Sequence, residues 1–431
     1  MARPVELTLP IPAADPLAGG RRSSDLACGE EPSIALGSQP RRKNGRRDRP
    51  PVIILGGGAN ALSVARSLGR YGAPVYAINL PGEHVHYSRF ARWIRLPAAA
   101  NYAEVWTEYL LGPQSDRLLG AVLLAASDAA LEIIARNRPA LARRFLLDDS
   151  NPQAQLAMLN KLSTYRAAVA AGVPTPRFWL AGSLREVEAI RDELVFPLIV
   201  KPQLSHLFEA RFGRKFLTAE SYQDLHGALG RVGDAGIDVV LMEKIPGGDD
   251  RLASYYTYLD ELGDPLFDFT KRIIRRHPPG MGAACYHVTD HVPGIRQQAL
   301  KLFRHVGLRG LANVEFKLDP RDGQLKLIEC NARFTAANCL VASAGFDLAR
   351  FVYNRIVGLP QPPLTGFRSG LRLWYPIEDF KAFRALRRRG EITPSQWLAS
   401  IARRQTFPFF EWSDPLPTVA DFFHRLAGKF P

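Results

Sequence analysis

The stretch 313–331 constrains the fold of this chain more than any other. Asn313-Val314-Glu315-Phe316-Lys317-Leu318 alternates polar and apolar residues, and Gln324-Leu325-Lys326-Leu327-Ile328-Glu329-Cys330-Asn331 largely does. Between them lies Asp319-Pro320-Arg321-Asp322-Gly323, in which proline followed by Asp-Gly is a strong turn signal. The pattern predicts an antiparallel hairpin. Strand side chains repeat every two residues, so Glu329 and Asn331 share a face. A turn centred near Asp322 sets Glu315 opposite Glu329. Like charges placed opposite each other destabilise a sheet, and a divalent cation reverses that sign. One or two carboxylates completed by substrate phosphates is the usual way of holding Mg²⁺. A surface hairpin with its acids in water fits poorly, because Leu311, Ala312, Ile328 and Cys330 make the region apolar on both sides.

Upstream, Val52-Ile53-Ile54-Leu55 reads as a buried parallel strand. Gly56-Gly57-Gly58 follows, then helical spacing of Leu62, Ala65 and Leu68 over 59–69, then a strand over 74–80. This is one βαβ unit. A third strand over 121–125 ends at Ser127-Asp128, with a helix over 129–137. Asp128, at a strand's carboxyl end where α/β sheets bind ligands, is either a grip for an amino group or the N-cap of that helix. The glycine turn invites a dinucleotide reading, with Ala61 at the third glycine position. The second strand, however, ends in Ala77-Ile78-Asn79, without the acid that a cofactor ribose wants. A structural tight turn, or a turn whose N–H groups meet a substrate anion, are the other readings.

From about residue 160 the pattern changes. A helix over 161–171 ends at Gly172-Val173-Pro174-Thr175-Pro176. Strands are predicted over 196–201, 239–244, 253–258, 265–275, 285–288, 312–318 and 324–329, with helices over 221–231 and 293–306. A helical region closes the chain, with Trp374, Trp397 and Trp412 as expected core anchors. Residues 1–50 are rich in Pro, Gly, Ser and Arg without apolar periodicity, which predicts a disordered basic tail.

Composition sets bounds. The 431 residues are 46% apolar, enough for a sizeable core, and carry a net charge of +14. Nine basic and six acidic side chains lie in residues 1–50, so most of the excess falls elsewhere. No nucleic-acid-binding module accompanies it, and a site that handles phosphates accounts for it as well. No apolar run approaches the length of a membrane span, and none forms a signal-peptide core. Cys28, Cys285, Cys330 and Cys339 show neither zinc nor disulfide spacing, so a reducing cytoplasm is the expected setting.

Phosphate chemistry with magnesium needs cations aimed at the triphosphate. Lys201 ends an apolar strand, where an unpaired charge is costly, and Lys161 opens a helix after Asn160. The run Val239-Val240-Leu241-Met242-Glu243-Lys244-Ile245-Pro246-Gly247-Gly248-Asp249-Asp250 reads as a buried strand entering a turn. Such an edge presents backbone groups to a purine, with Asp250 placed for a ribose hydroxyl.

Across 51–360 the order of these motifs resembles the ATP-grasp superfamily, and Glu329-Cys330-Asn331-Ala332-Arg333 resembles its acidic–x–Asn–x–Arg signature. The likeness is nearest to carboxylate–amine ligases related to D-aspartate ligase, and Asp414-Pro415-Leu416-Pro417 is also similar to that group. The resemblance implies an α/β and α+β chain: a small parallel α/β pre-ATP-grasp domain (51–150), then a two-lobed ATP-grasp domain (151–360, lid lobe about 161–245), and a helical extension (361–431). It implies ATP with two Mg²⁺, Mn²⁺ being an alternative. Lys161 and Lys201 would meet the phosphates, Glu243 and Ile245 would hold adenine through their backbones, Lys244 would lie beside the ring, and Asp250 would bind ribose. Glu315, Glu329 and Asn331 would bind metal. Lys271 would be a further phosphate or acyl-phosphate contact, and Arg333 would steady the phosphate or the substrate carboxylate. The lid loop 205–215 departs from the family by holding only Gly213, with Lys215 as the best cationic substitute. The implied substrates are a small carboxylate and an amino-acid-like amine, with no nucleic acid; a homodimer is left open. A non-amine acceptor, a nucleotide-binding module without catalysis, and a Rossmann-type oxidoreductase are the alternatives.

Overall fold

The computed structural model describes residues 49–97, 99, 101–181, 183–203, 208, 212, 216–361, 364 and 366–426. The expected basic tail, apart from its last two residues, and Cys28 and Lys215 lie outside them.

Three sheets organise the described residues. The first is parallel: β1 (Val52–Leu55), β2 (Val75–Ile78), β3 (Arg92–Trp93) and β4 (Val122–Ala125), in the order β3-β2-β1-β4. All four residues of β1 are buried, as a continuous apolar run in a two-sided parallel sheet requires. One face packs on helices Tyr102–Leu111 and Asp128–Arg136. The other packs on helices Ala59–Arg70 and Leu348–Val357 and, through them, on aromatic residues of the largest sheet.

The second sheet is antiparallel, in the order β5-β8-β6-β7, from β5 (Phe178–Trp179), β6 (Leu198–Pro202), β7 (Leu217–Ala219) and β8 (Val239–Glu243). The third has seven strands, ordered β13-β12-β9-β10-β11-β14-β15. They are β9 (Leu252–Leu259), β10 (Phe269–His277), β11 (Ala283–Thr289), β12 (Gly310–Leu318), β13 (Leu325–Asn331), β14 (Arg372–Trp374) and β15 (Gln405–Thr406). One face of it covers helices Pro152–Leu159, Lys161–Ala170 and Ile295–Val306 in a single apolar cluster. The opposite face carries the polar residues described below.

Two expectations need correction. Trp412 is 89% exposed and anchors nothing. The region after 361 is not purely helical, because β14 and β15 extend the large sheet. Trp374 and Trp397 do hold this region, through a buried charge. Asp379, fully buried, accepts from Arg275 Nε (2.6 Å) and from the indole nitrogens of Trp374 (3.0 Å) and Trp397 (2.9 Å). Removing one partner of a buried pair strands the other charge. Asp379→Ala is expected to lower the free energy of unfolding by about 3–5 kcal/mol, measured by urea titration.

Candidate functional site

The hairpin forms with Asn313 opposite Asn331 and Glu315 opposite Glu329, and the ladder slips one residue immediately after the acid pair. The slip is a bulge, with Phe316 paired to Leu327 and Ile328 left over. Strict alternation would put Leu327 on the face of Glu329. The bulge sends Leu327 into the core with Phe316, both fully buried, and keeps the two acids together. It also turns the Ile328 carbonyl toward other partners: Tyr165 Oη donates to it at 2.8 Å and Lys201 Nζ at 3.0 Å. A lysine of β6 therefore reaches the edge of the large sheet.

One polar row crosses five strands on one face by direct pairing: Glu329, Glu315, Ser254, Lys271, Thr289. Lys271 is 1% exposed; its Nζ donates to Ser254 Oγ (3.0 Å), which donates to Glu315 Oε1 (3.4 Å). Burial pushes the Lys271 ammonium pKa below its ordinary value, against the opposing pull of Glu315 and Glu329. Lys161 meets the same acids from the helix side, its Nζ 3.3 Å from Glu329 Oε2. That helix is placed by its N-cap: Asn160 accepts from Ser163 N–H and donates to Gln203 Oε1, both at 3.0 Å.

Arg333 joins the hairpin to the parallel sheet. Its Nε donates to Asp128 Oδ1 (2.6 Å) and its second terminal nitrogen to Asn331 Oδ1 (3.0 Å). Burial alone would raise the Asp128 pKa, but the charge and hydrogen bond of Arg333 outweigh it and hold the carboxyl below its usual range. Asp128 is not the N-cap: Ser127 fills that role, accepting from Ala130 N–H. The glycine turn has a packing explanation. Gly56 and Gly57 have φ of +71° and +81°. A Cβ would lie 2.2 Å from Ser127 Oγ at the first and 2.4 Å from the Ala126 carbonyl oxygen at the second. The Glu83 carboxylate stands before the helix that follows, 2.8 Å from where a Cβ of Gly58 would lie. The structural reading of the turn, one of those offered, is the one these contacts support.

Residues 287–358 match the family model for the carbamoyl-phosphate synthase L chain, ATP binding domain. The chain is 26% identical to D-aspartate ligase of Enterococcus faecium over 325 residues, which cover 70% of this chain and 75% of that one. Two solved structures share its fold. The ADP complex of N5-carboxyaminoimidazole ribonucleotide synthetase has a TM-score of 0.59 at 14% identity, covering 75% of this chain and 80% of that one. L-amino acid ligase of Bacillus licheniformis has a TM-score of 0.54 at 17% identity, covering 72% and 75%. In sequence over this stretch, and in fold, the chain is similar to the ATP-grasp ligases.

The link after β8 is held by residues that sequence reasoning missed. Lys317 Nζ donates to the carbonyls of Ile245 and Gly247, both at 2.8 Å. Burial, with Arg276 adding in the same direction, lowers its pKa to about 8. The Glu243 side chain is buried and paired with Arg321, and its N–H donates to the Arg177 carbonyl (2.9 Å). The Lys244 N–H donates to the Pro197 carbonyl (3.0 Å), and its Nζ lies 3.4 Å from Glu220. Asp249 pairs with Arg276 at 2.8 Å. Its neighbour Asp250 lines a cavity of about 700 Å³ with Ala253, Gln298 and Leu325. Ala253 and Leu325 belong to the apolar side of the large sheet, so Asp250 is not brought to the acid row. A polar face at hairpin spacing was the only available signal for Lys317, and nothing in the sequence marked Ser254 or Arg321.

The donor set fits a hard cation. No group of three or more His, Cys, Asp or Glu side chains of metal-holding geometry occurs among the described residues. Glu315 and Glu329 face each other with the Asn331 amide one row away and cations around them, which suits Mg²⁺ with phosphate completing the shell. Replacing Lys317 leaves two carbonyls of the link without their donor. Lys317→Met is expected to weaken ADP binding about tenfold by calorimetry, the loss expected for one charge-assisted hydrogen bond.

Proposed function

We propose that the protein is an ATP-dependent carboxylate–amine ligase. It transfers the γ-phosphoryl group of ATP to a carboxylate, and an amine then displaces phosphate from the acyl phosphate, leaving an amide, ADP and phosphate. The observation that carries this reading is the Glu315–Glu329 pair, met by Lys161 from a helix and by Lys271 through Ser254 along the same sheet face. The relatives named above, which include D-aspartate ligase and L-amino acid ligase, support it and favour amino-acid-like substrates.

In this reading Glu315, Glu329 and Asn331 hold Mg²⁺, as two ions or with Mn²⁺ in its place. The bound metal would neutralise charge on the transferring phosphoryl group. Lys161, whose Nζ lies 3.3 Å from Glu329, would also be placed to meet a phosphate oxygen. Lys201, and Lys215 from the lid loop, add to the cationic wall. The Glu243 and Ile245 backbones hold adenine with Lys244 beside it, and Asp250 takes the ribose after a shift of its turn. Lys271 stabilises the acyl phosphate. Arg333, fixed by Asp128, grips the substrate carboxylate or phosphate. Positioning and electrostatics supply most of the rate.

The test is an ADP-release screen pairing amino-acid carboxylates with amines, with and without Mg²⁺. Release is expected only when acid, amine and metal are all present. Glu329→Gln should abolish turnover while leaving the melting temperature close to that of the parent. Normal turnover in that variant removes the metal assignment, and acid-dependent release with thiols or alcohols alone moves the acceptor to another class.

A further inference from the structure

Beside the polar row lies a titratable group that the mechanism above does not use. His287 is on β11, two residues from Thr289, and pairs with Ile273 as Thr289 pairs with Lys271. It therefore shares the face of Lys271, one step along the strand. The side chain is buried, at 5% exposure. Its Nε2 lies 3.2 Å from the Ala284 carbonyl oxygen. A carbonyl only accepts, so Nε2 carries the proton and Nδ1 keeps its lone pair. That Nδ1 is buried and has no hydrogen-bond partner among the described residues. Burial, with the charge of Lys271 acting the same way, drives the imidazole pKa well below its ordinary value, so the ring is uncharged. The Tyr375 ring lies 6.3 Å from the imidazole, and its hydroxyl donates to the Ala336 carbonyl at 3.3 Å. His287 thus lies one step from Lys271 on the same face, with Tyr375 beside it.

We propose that His287 Nδ1 is the acceptor for the incoming amine: it receives that nitrogen's hydrogen bond and takes its proton as the amide forms. The inference rests on the ligase reading above. The amine binds uncharged, having left one proton to solvent. Its lone pair forms the C–N bond at the acyl carbon, the C–O bond to phosphate breaks, phosphate leaves, and the nitrogen's second proton passes to Nδ1. The Ala284 carbonyl fixes the tautomer, and Lys271 keeps the ring neutral until that moment. Buried polar atoms are usually paired, and this unpaired nitrogen is the one that shares the face of Lys271.

Hydroxylamine separates the two halves of the reaction. It is uncharged at neutral pH and strongly nucleophilic, so it depends far less on a base than an amino acid does. The standard L-amino acids and D-aspartate would be offered as carboxylates, each with hydroxylamine and then with amino-acid amines. Gln at this position retains a donor for Ala284 and loses the Nδ1 acceptor. His287→Gln is expected to form hydroxamate within about twofold of the parent while losing amide formation by about 100-fold or more. Equal loss of both products, or no loss of either, overturns the proposal. Should His287→Gln fail to fold, His287→Asn is read by the same split, because its side chain cannot hold a proton. Absence of hydroxamate from the parent overturns the ligase reading itself, and this inference with it.

Discussion

Two carboxylates facing each other across a β-hairpin determine what the rest of the site must be. Unit charges about 5 Å apart repel by roughly 3 kcal/mol at the effective dielectric of a protein surface. A sheet that keeps Glu315 opposite Glu329 needs cations near both. Lys161 comes from a helix, Lys271 acts through Ser254, and Arg333 sits beside Asn331. Each is also a group that a triphosphate or an acyl phosphate would recruit. The resting network and the working one therefore use the same side chains. Metal and nucleotide would release the lysines from the carboxylates by satisfying the carboxylates themselves.

The bulge at Ile328 serves both sides of this arrangement. It keeps the acid pair on the cleft face while Leu327 fills the core. It also offers a carbonyl to Lys201 and Tyr165, which tie the β6 sheet to the hairpin edge. The link from β8 to β9 is gripped in turn by Lys317 of β12. The antiparallel sheet of β5–β8 thus meets the large sheet through these polar contacts and through an apolar cluster that joins Val240 and Met242 of β8 to Tyr255, Val314 and Leu327.

The hairpin was legible because its turn chemistry and its alternation agree, and the opposition of Glu315 and Glu329 follows from counting through Asp322. The bulge had one local sign, the adjacent apolar pair Leu327-Ile328 that breaks the alternation, which the reading of the hairpin passed over. The parallel sheet was legible from continuous apolar runs. The meaning of its glycine turn was not, because the close approach of Ala126 and Ser127 is a tertiary fact. Asp128 shows the limit of local reasoning: either neighbour is a competent cap, and the competition was decided by Arg333, 205 residues away. Trp412 misled because large aromatic residues are usually buried, and the short strands β14 and β15 were hidden in a helix-rich stretch. Ser254, Lys317 and Arg321 gain significance only from what lies across from them.

The region after residue 361 bears on the site through buried charge. Asp379 binds it to Arg275 of the large sheet. Asp414 binds it to the other side, accepting from Arg66 Nε (2.9 Å), Ser88 Oγ (2.7 Å) and the Arg89 N–H (3.0 Å). A buried acid with several donors has a narrow range of tolerated positions, because any shift leaves a charge unpaired in a medium of low polarity. Two such acids in one segment therefore fix the parallel sheet and the seven-stranded sheet in one register. Arg333, Asp128 and Asn60 sit at the junction of those same sheets, with Asn60 donating to the Phe334 carbonyl at 3.2 Å. The junction of the two sheets, where Arg333 and Asp128 meet, is thus held from behind by the region after residue 361.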